Sequence, residues 1–183
     1  MTVTIPSVDA IVERCIKGDK AAYRELYDRY SKAMYNTALR ITGNSRDAED
    51  MLQEAFTDAF TQLKSFENKS TFGAWLKQIV VYKCINLLKN KRLSFTNLEI
   101  ESHDVVDDEE TDEREIEMTI EGIKKSIGQL PDGYRAVITL YLLEGYDHEE
   151  IAEIIGTAQS TVRTQYKRGK EKLLQLLKKE KCA

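Results

Sequence analysis

Residues 147–178 read DHEEIAEIIGTAQSTVRTQYKRGKEKLLQLLK, a stretch that spells two helices joined by a tight turn. Asp147 has the short polar side chain of an N-cap, and Glu150, three residues on, stands where a carboxylate reaches back to complete a capping box. Ile151, Ala152, Ile154 and Ile155 give the first helix, HEEIAEII, its apolar face, and Ala152 is small enough for a close helix crossing. Gly156 supplies the left-handed residue that ends it, and Thr157 is placed to cap the next helix. That second helix offers Val162, Tyr166, Leu173 and Leu176 for burial, with Gln159, Ser160, Arg163, Thr164, Lys167, Arg168 and Lys170 on its other faces. Residues 163–181 hold eight basic and two acidic side chains. A helix-turn-helix places the start of such a helix in the DNA major groove, with cations further along holding phosphates. The plainer alternative is a helical hairpin with a solvated basic face. This stretch alone does not say which kind of transcription protein carries it.

Moving upstream, Ile116, Ile120, Ile123 and Ile127 keep a helical period that Gly128 and Pro131 stop, and a further helix is predicted over 135–144. Before them, residues 94–117 lose all periodicity and carry one basic and 11 acidic side chains. Few apolar residues and a like-charge run mark a flexible, solvated linker. The first 93 residues read as four helices. Val8, Ile11, Val12, Cys15 and Ile16 form the stripe of the first, and Asp19 is a candidate cap for the second. The second buries Ala22, Leu26, Tyr27, Tyr30, Met34, Ala38 and Ile41 before Gly43. Met51, Leu52, Ala55, Phe56, Ala59 and Leu63 line the third, and Phe72, Trp75, Leu76, Ile79, Val80, Ile85 and Leu87 the fourth. Long helices on short loops imply a compact bundle. The fold class is all-α, with two small helical domains, 1–93 and 118–183, joined by the acidic linker 94–117.

Composition narrows the function. The 183 residues contain only two prolines and nine glycines, too little punctuation for an all-β protein. No apolar run approaches the ~18 residues of a membrane span. MTVTIPSVDAIVERC lacks the basic start and apolar centre of a secretory signal. Cys15, Cys84 and Cys182 are odd in number and scattered, which suits reduced thiols in a cytoplasm better than a disulfide framework. His103 and His148 are the only histidines, and position 152 is Ala, so HEEIAE is not the zinc motif His-Glu-x-x-His. With no Glu-x-x-His pair and no Gly-rich phosphate loop, no catalytic, metal or cofactor site is expected. The formal net charge of −4 hides two basic lobes: residues 1–93 carry 15 basic and 11 acidic groups, and residues 118–183 carry 11 and 9. On the third helix, however, Asp47, Glu49, Asp50, Gln53, Glu54 and Asp58 make an acidic face. Such a face repels DNA and favours a protein partner.

The whole chain resembles an extracytoplasmic-function (group IV) RNA polymerase sigma factor of the sigma-70 family. GDKAAYRELYDRYSKAMYNTALRITGNSRDAEDMLQEAFTDAF, from Gly18, is similar to the region that docks on the polymerase clamp. STFGAWLKQIVVYKCINLLKNKR, from Ser70, is similar to the region that melts and reads the minus-ten element. LPDGYRAVITLYLLEGYDHEEIAEIIGTAQSTVRTQYKRGKEKL, from Leu130, is similar to the minus-thirty-five reader. A linker in place of the middle domain is the hallmark of the family.

The resemblance implies roles for named residues. Asp50, Met51, Gln53 and Glu54 would grip a coiled coil of the largest polymerase subunits. Phe66, Asn68, Lys69 and Ser70, in the loop SFENKS, would capture a flipped base of the non-template strand. Flipping costs a few kcal/mol, and stacking returns roughly 1–3 kcal/mol per base; Phe66 as a mere core anchor stays open. Trp75 has the same two readings, with packing favoured. Tyr82 stands where the family usually has an asparagine; it can stack but lacks the amide's paired donor and acceptor. Lys83, Asn86, Lys89, Lys91 and Arg92 would hold the duplex upstream. Gln159, Ser160, Thr161, Arg163, Thr164, Lys167 and Arg168 would contact the minus-thirty-five element, where an arginine on guanine gives about 1–3 kcal/mol of discrimination. Gln165 replaces a usual arginine, which loses a phosphate grip because glutamine is neutral, and Gly169 replaces a usual alanine, which predicts a locally weaker helix. The family also implies a monomer, core RNA polymerase and promoter DNA (duplex and melted strand) as partners, and a restraining anti-sigma factor. It further implies that the acidic linker mimics nucleic acid in the RNA channel of the polymerase. A spacer of about one and a half turns, ~50 Å, is within the linker's reach of roughly 80 Å. The competing function is a stand-alone helix-turn-helix regulator. It would bind duplex by itself and normally dimerise, and a receiver domain in front of it would need strands that the first lobe lacks.

Overall fold

The computed structural model describes residues 7–66, 69–94 and 120–181. Among them the regular elements are helices: α1 Val8–Ile16, α2 Lys20–Thr42, α3 Ser45–Thr61, a 3-10 turn Leu63–Ser65, α4 Phe72–Ser94, α5 Ile120–Gly128, α6 Asp132–Leu142, α7 His148–Ile155 and α8 Gln159–Lys181. The expectations for Asn68, for His103, for Cys182 and for the linker beyond residue 94 lie outside the described residues. So does the side chain of Arg92.

The helix starts follow from short polar side chains. Ser7 Oγ accepts from the Ala10 N–H, Asp19 Oδ1 from Ala21, and Asn44 Oδ1 from Asp47, each satisfying a donor that the first turn leaves free. Between α1, α2, α3 and α4 lies a core of Ile11, Val12, Cys15, Leu26, Ala38, Ile41, Leu52, Ala55, Phe56, Leu76, Val80 and Val81. Burial of each large aliphatic here is worth about 2 kcal/mol. Two members of the expected stripes are outside it: Ile16 and Tyr27 are 42% and 39% exposed, and Tyr27 instead lays its ring 4.8 Å from that of Phe56. On α4 Phe72, Leu76, Val80 and Ile85 are buried as expected, Val81, Cys84 and Leu88 are buried with them, and Ile79 and Leu87 are half-buried. This helix meets α2, α3 and α7, so its apolar face is broader than one stripe.

The second lobe is organised around α6, which packs on α8 and also on α2 of the first lobe. Residues 135–140 are all buried, as expected of a helix enclosed on every side. It begins at Asp132 and ends at Leu142 rather than spanning 135–144. Ala136, Val137 and Leu140 join Ile151, Ala152, Ile154 and Val162 in one apolar core continuous with that of the first lobe. Ile127, Leu130, Ile138, Leu173 and Leu177 form a second core under α5. Leu177 is thus the fully buried residue of that turn of α8, with Leu176 partly buried against the same core.

The seam between the lobes is polar at its edge. Arg135, only 5% exposed, donates from Nε to Ile41 O (3.1 Å), from Nη2 to Thr42 O (2.7 Å) and from Nη1 to Leu130 O (2.9 Å), and it pairs with Asp132. Its guanidinium therefore caps carbonyls at the C-terminus of α2, where the helix dipole favours a cation. Glu144 is as deeply placed, its side chain 4% exposed between Arg40 and Lys77, with Lys77 Nζ 3.4 Å from Oε2. Gly43 closes α2 at φ 68°, and a Cβ there would stand 2.6 Å from Arg135 Cζ. Glycine is required both for the left-handed turn and for the room.

Candidate protein and nucleic-acid interfaces

The helix-turn-helix is built as its caps dictate. Asp147 Oδ1 accepts from Glu149 and Glu150 at 2.8 Å, and Glu150 Oε2 accepts from the Asp147 N–H at 2.8 Å, completing the capping box. Gly156 ends α7 at φ 70°. Thr157 belongs to that closing turn, its N–H donating to Ala152 O, and α8 starts only at Gln159, so Ala158 and not Thr157 occupies the cap position. His148 stacks on Tyr141 with centroids 4.5 Å apart and meets Tyr166 edge-on at 5.3 Å, tying α7 to α6 and α8.

Val162 is fully buried against this scaffold, which turns the opposite side of α8 outward. Ser160, Thr161, Arg163, Thr164, Lys167 and Arg168 are exposed, and Gln159 is half-buried. Thr164 Oγ1 donates back to Ser160 O, so that hydroxyl's hydrogen is already used. Gln165 is turned toward the seam, where it lines a ~50 Å³ cavity with Ile85, Lys89 and Ala136. At Gly169 a Cβ would lie 3.0 Å from Ile138 Cγ1 and 3.3 Å from Tyr134 Cβ. The glycine lets α8 press against α6, so the cost anticipated for it in a helix is offset by close packing.

In the first lobe, Phe66 lies 5.1 Å from Trp75 and 6.0 Å from Phe72, and Phe72 in turn 5.3 Å from Tyr30. Such ring pairs add about 1 kcal/mol each beyond area. Phe72 is fully buried, whereas Phe66 and Trp75 keep half-exposed faces, and Lys69 and Ser70 are exposed beside them. Thr71 Oγ1 accepts from the Ala74 N–H and starts α4 just after the loop. Tyr82 is 39% exposed and faces Tyr146 of the second lobe, whose phenol pKa is raised chiefly by burial, then by the charges of Glu144 and Glu150, and least by Tyr82. Asn86 is exposed and Lys89 half-buried, its Nζ 3.6 Å from where a Cβ on Gly156 would be.

The acidic face of α3 forms one wall of an open groove of about 630 Å³, lined by Asp47, Asp50, Gln53, Glu54, Asp58 and, from α4, Lys83. Asp50, Gln53 and Glu54 are exposed; Met51 also lines the groove but is only 6% exposed, its mass in the core. The groove is crossed by ion pairs. Lys83 Nζ stands 2.7 Å from Asp58 Oδ2 and 3.2 Å from Glu54 Oε2, and Lys91 pairs with Asp47. The bond to Asp58 is the main reason that the Lys83 ammonium holds its proton above the ordinary lysine range. Cys84, beneath, is pushed up to about 12 by burial, helped by the Asp47 charge. Sequence reasoning placed Lys83 and Lys91 with the DNA-facing residues; their carboxylate partners emerge only once α3 and α4 are set antiparallel. It missed the seam residues Arg40, Lys77, Arg135 and Glu144 altogether. The signal for them was the run AVITL after Arg135, apolar but for Thr139, which is too continuous for a helix with one buried stripe.

No described helix is long and apolar enough to cross a membrane, and the described residues contain no group of His, Cys, Asp or Glu able to hold a metal. The family description Sigma-70 region 2 matches residues 26–93, and Sigma-70, region 4 matches residues 120–173. Over its length the chain is similar to the ECF RNA polymerase sigma-E factor of Haemophilus influenzae, 34% identical over 88% of this chain and 90% of the relative. It is also similar to the ECF RNA polymerase sigma factor SigW of Bacillus subtilis, 29% identical over 91% and 95%. Among solved structures, the sigma factor RpoE of Bartonella quintana, crystallised in complex with the anti-sigma factor NepR, shares the fold with a TM-score of 0.55. It is 22% identical, over 85% of this chain and 96% of that one.

Proposed function

The chain belongs to the extracytoplasmic-function RNA polymerase sigma factors of the sigma-70 family, transcription initiation factors that direct the polymerase to promoters, and we propose how its surfaces divide that work. The first lobe, 1–93, binds core polymerase through Asp50, Gln53 and Glu54 along the α3 groove, with Met51 beneath them. It holds the melted minus-ten strand at the aromatic cluster of Phe66 and Trp75 beside Asn68, Lys69, Ser70 and Tyr82. Lys83, Asn86, Lys89, Lys91 and Arg92 serve the adjoining duplex. The second lobe, 118–183, reads the minus-thirty-five element through Gln159, Ser160, Thr161, Arg163, Thr164, Lys167 and Arg168. The observation that carries this reading is the outward face of α8, with polar and basic side chains exposed on the side away from Val162. That is the surface a major groove needs.

The factor works in the cytoplasm as a monomer, catalyses nothing itself, and is restrained by an anti-sigma factor of the kind that holds the Bartonella relative. Transcription from genomic fragments with purified core polymerase tests it. Discrete starts should depend on the protein and disappear with Arg163→Ala and with Asp50→Ala, the first by loss of promoter contact and the second by loss of polymerase. Sequence-specific duplex binding by the protein alone, with no starts at all, would overturn the reading in favour of a stand-alone regulator.

A further inference from the structure

Lys83 and Lys91 belong to two surfaces at once. They lie on α4, in the stretch proposed for promoter DNA, yet each is bound to a carboxylate of α3, in the groove proposed for polymerase. Glu54 is common to the polymerase-binding set and to the Lys83 pair. The spacing makes this a zipper rather than an accident: Asp47, Glu54 and Asp58 recur on one stripe of α3, while Lys83 and Lys91 are eight apart on α4, so antiparallel packing sets Asp58 against Lys83 and Asp47 against Lys91. A lysine between two carboxylates is locally over-neutralised, and a phosphate approaching it meets Glu54 and Asp58 as well. The Lys83 pairs are open to water, with Lys83 27% exposed, Glu54 55% and Asp58 38%, while in the second pair Lys91 is 40% exposed and Asp47, more enclosed, 18%. Pairs this accessible are weak and exchange readily with solvent or a competing cation.

We propose that the groove is a charge-exchange site: a partner helix presenting guanidinium or ammonium groups takes Asp47, Glu54 and Asp58, and the displaced Lys83 and Lys91 swing to the DNA backbone. Polymerase binding thereby switches on phosphate binding by α4, and the free factor is kept off DNA by its own carboxylates. This rests on the division of surfaces proposed above. The coupling is reciprocal, as any linkage between two binding sites is.

The free full-length protein tests it without polymerase. Its affinity for a single-stranded and a duplex 30-mer is measured against salt, alongside Glu54→Gln/Asp58→Asn, Lys83→Ala and the three combined. The carboxylate variant should bind several-fold tighter at low salt, with the log–log salt slope steeper by about 0.7–0.9 for the one lysine released, and Lys83→Ala should abolish the gain. Asp47→Asn should do the same through Lys91, an independent pair should the first variant fold poorly. No gain, or a gain that survives Lys83→Ala and so reflects bulk charge, overturns the exchange. Binding of wild type to core polymerase is measured separately. Its failure would sink the sigma-factor division of surfaces, whereas intact polymerase binding with no lysine-dependent gain sinks only the exchange.

Discussion

The seam between the lobes and the groove between α3 and α4 use the same chemistry to opposite ends. Both join antiparallel or crossing helices by Arg or Lys to carboxylates and carbonyls. At the seam Arg135 is 5% exposed with four acceptors, and the Glu144 side chain is 4% exposed between two cations. In the groove the side chains run from 18% exposed at Asp47 to 55% at Glu54, with Lys83, Asp58 and Lys91 between. A charge removed from water must keep its partners, because the alternative is an unpaired buried ion, so the seam fixes one geometry. A charge that stays in water gives up its partner at little cost, so the groove is free to trade. Burial, more than the count of ion pairs, separates a structural contact from an exchangeable one.

The comparison breaks first at Arg135. Arg135→Ala strips Ile41 O, Thr42 O and Leu130 O of a donor at once, and should lower unfolding free energy by about 3 kcal/mol in urea titration. Arg135→Lys should recover little of it, since an ammonium lacks the fork that reaches three carbonyls. A loss under 1 kcal/mol for the alanine would mean that water replaces the guanidinium and that the seam is no lock. Glu144→Gln comes next at about 2 kcal/mol, reduced from a fully buried pair because Arg40 and Lys77 are each 31% exposed. Its signature is persistence: the loss should survive in 1 M salt, which screens solvent-exposed pairs but reaches buried ones poorly. Gly43→Ala sharpens the same point sterically. Left-handed backbone alone costs a non-glycine residue about 1–2 kcal/mol, and Gly18, at φ 88° with open space around it, isolates that cost. The excess of Gly43→Ala over Gly18→Ala measures the collision with Arg135, and should shrink in the Arg135→Ala background.

How much of this the sequence revealed depends on the range of the interaction. Asp147, Glu150 and Gly156 act on neighbours within a turn, so the helix-turn-helix could be read from their spacing, down to its capping box. The four helices of the first lobe were legible for the same reason, and Gly43 ends α2 where expected. What escaped was contact between elements distant in sequence. Arg135 reads as an ordinary polar residue at a helix start; the two acceptors that tie it to the first lobe are 93 and 94 residues away. Gly169 reads as a helix weakness until Ile138 is found against it. Periodicity also misplaced Ile16 and Tyr27 and missed Leu177, because one stripe cannot describe a helix touched by several neighbours. At the candidate site, residue types and faces were legible, but the pairing of DNA-facing lysines with polymerase-facing carboxylates needs the register of α3 against α4.

The smallest effect is the most diagnostic for the groove. Lys83→Met removes both pairs to Asp58 and Glu54 while keeping most of the aliphatic stem, and should cost about 0.5 kcal/mol at low salt and nearly nothing at 1 M. Its pH dependence has a definite sign. The folded pKa of Lys83 is raised above the ordinary 10.5, chiefly by the bond to Asp58. The folded state therefore binds that proton more tightly than the unfolded chain, and the pair's contribution is complete below 10.5 and lost as pH rises through the folded value. Across neutral pH the difference between wild type and Lys83→Met should accordingly be flat, fading only in strong alkali. A difference that instead resisted salt and exceeded that of Glu144→Gln would make Lys83 a structural anchor like Arg135. The groove would then be a second seam, and its lysines would be held too firmly to pass to DNA.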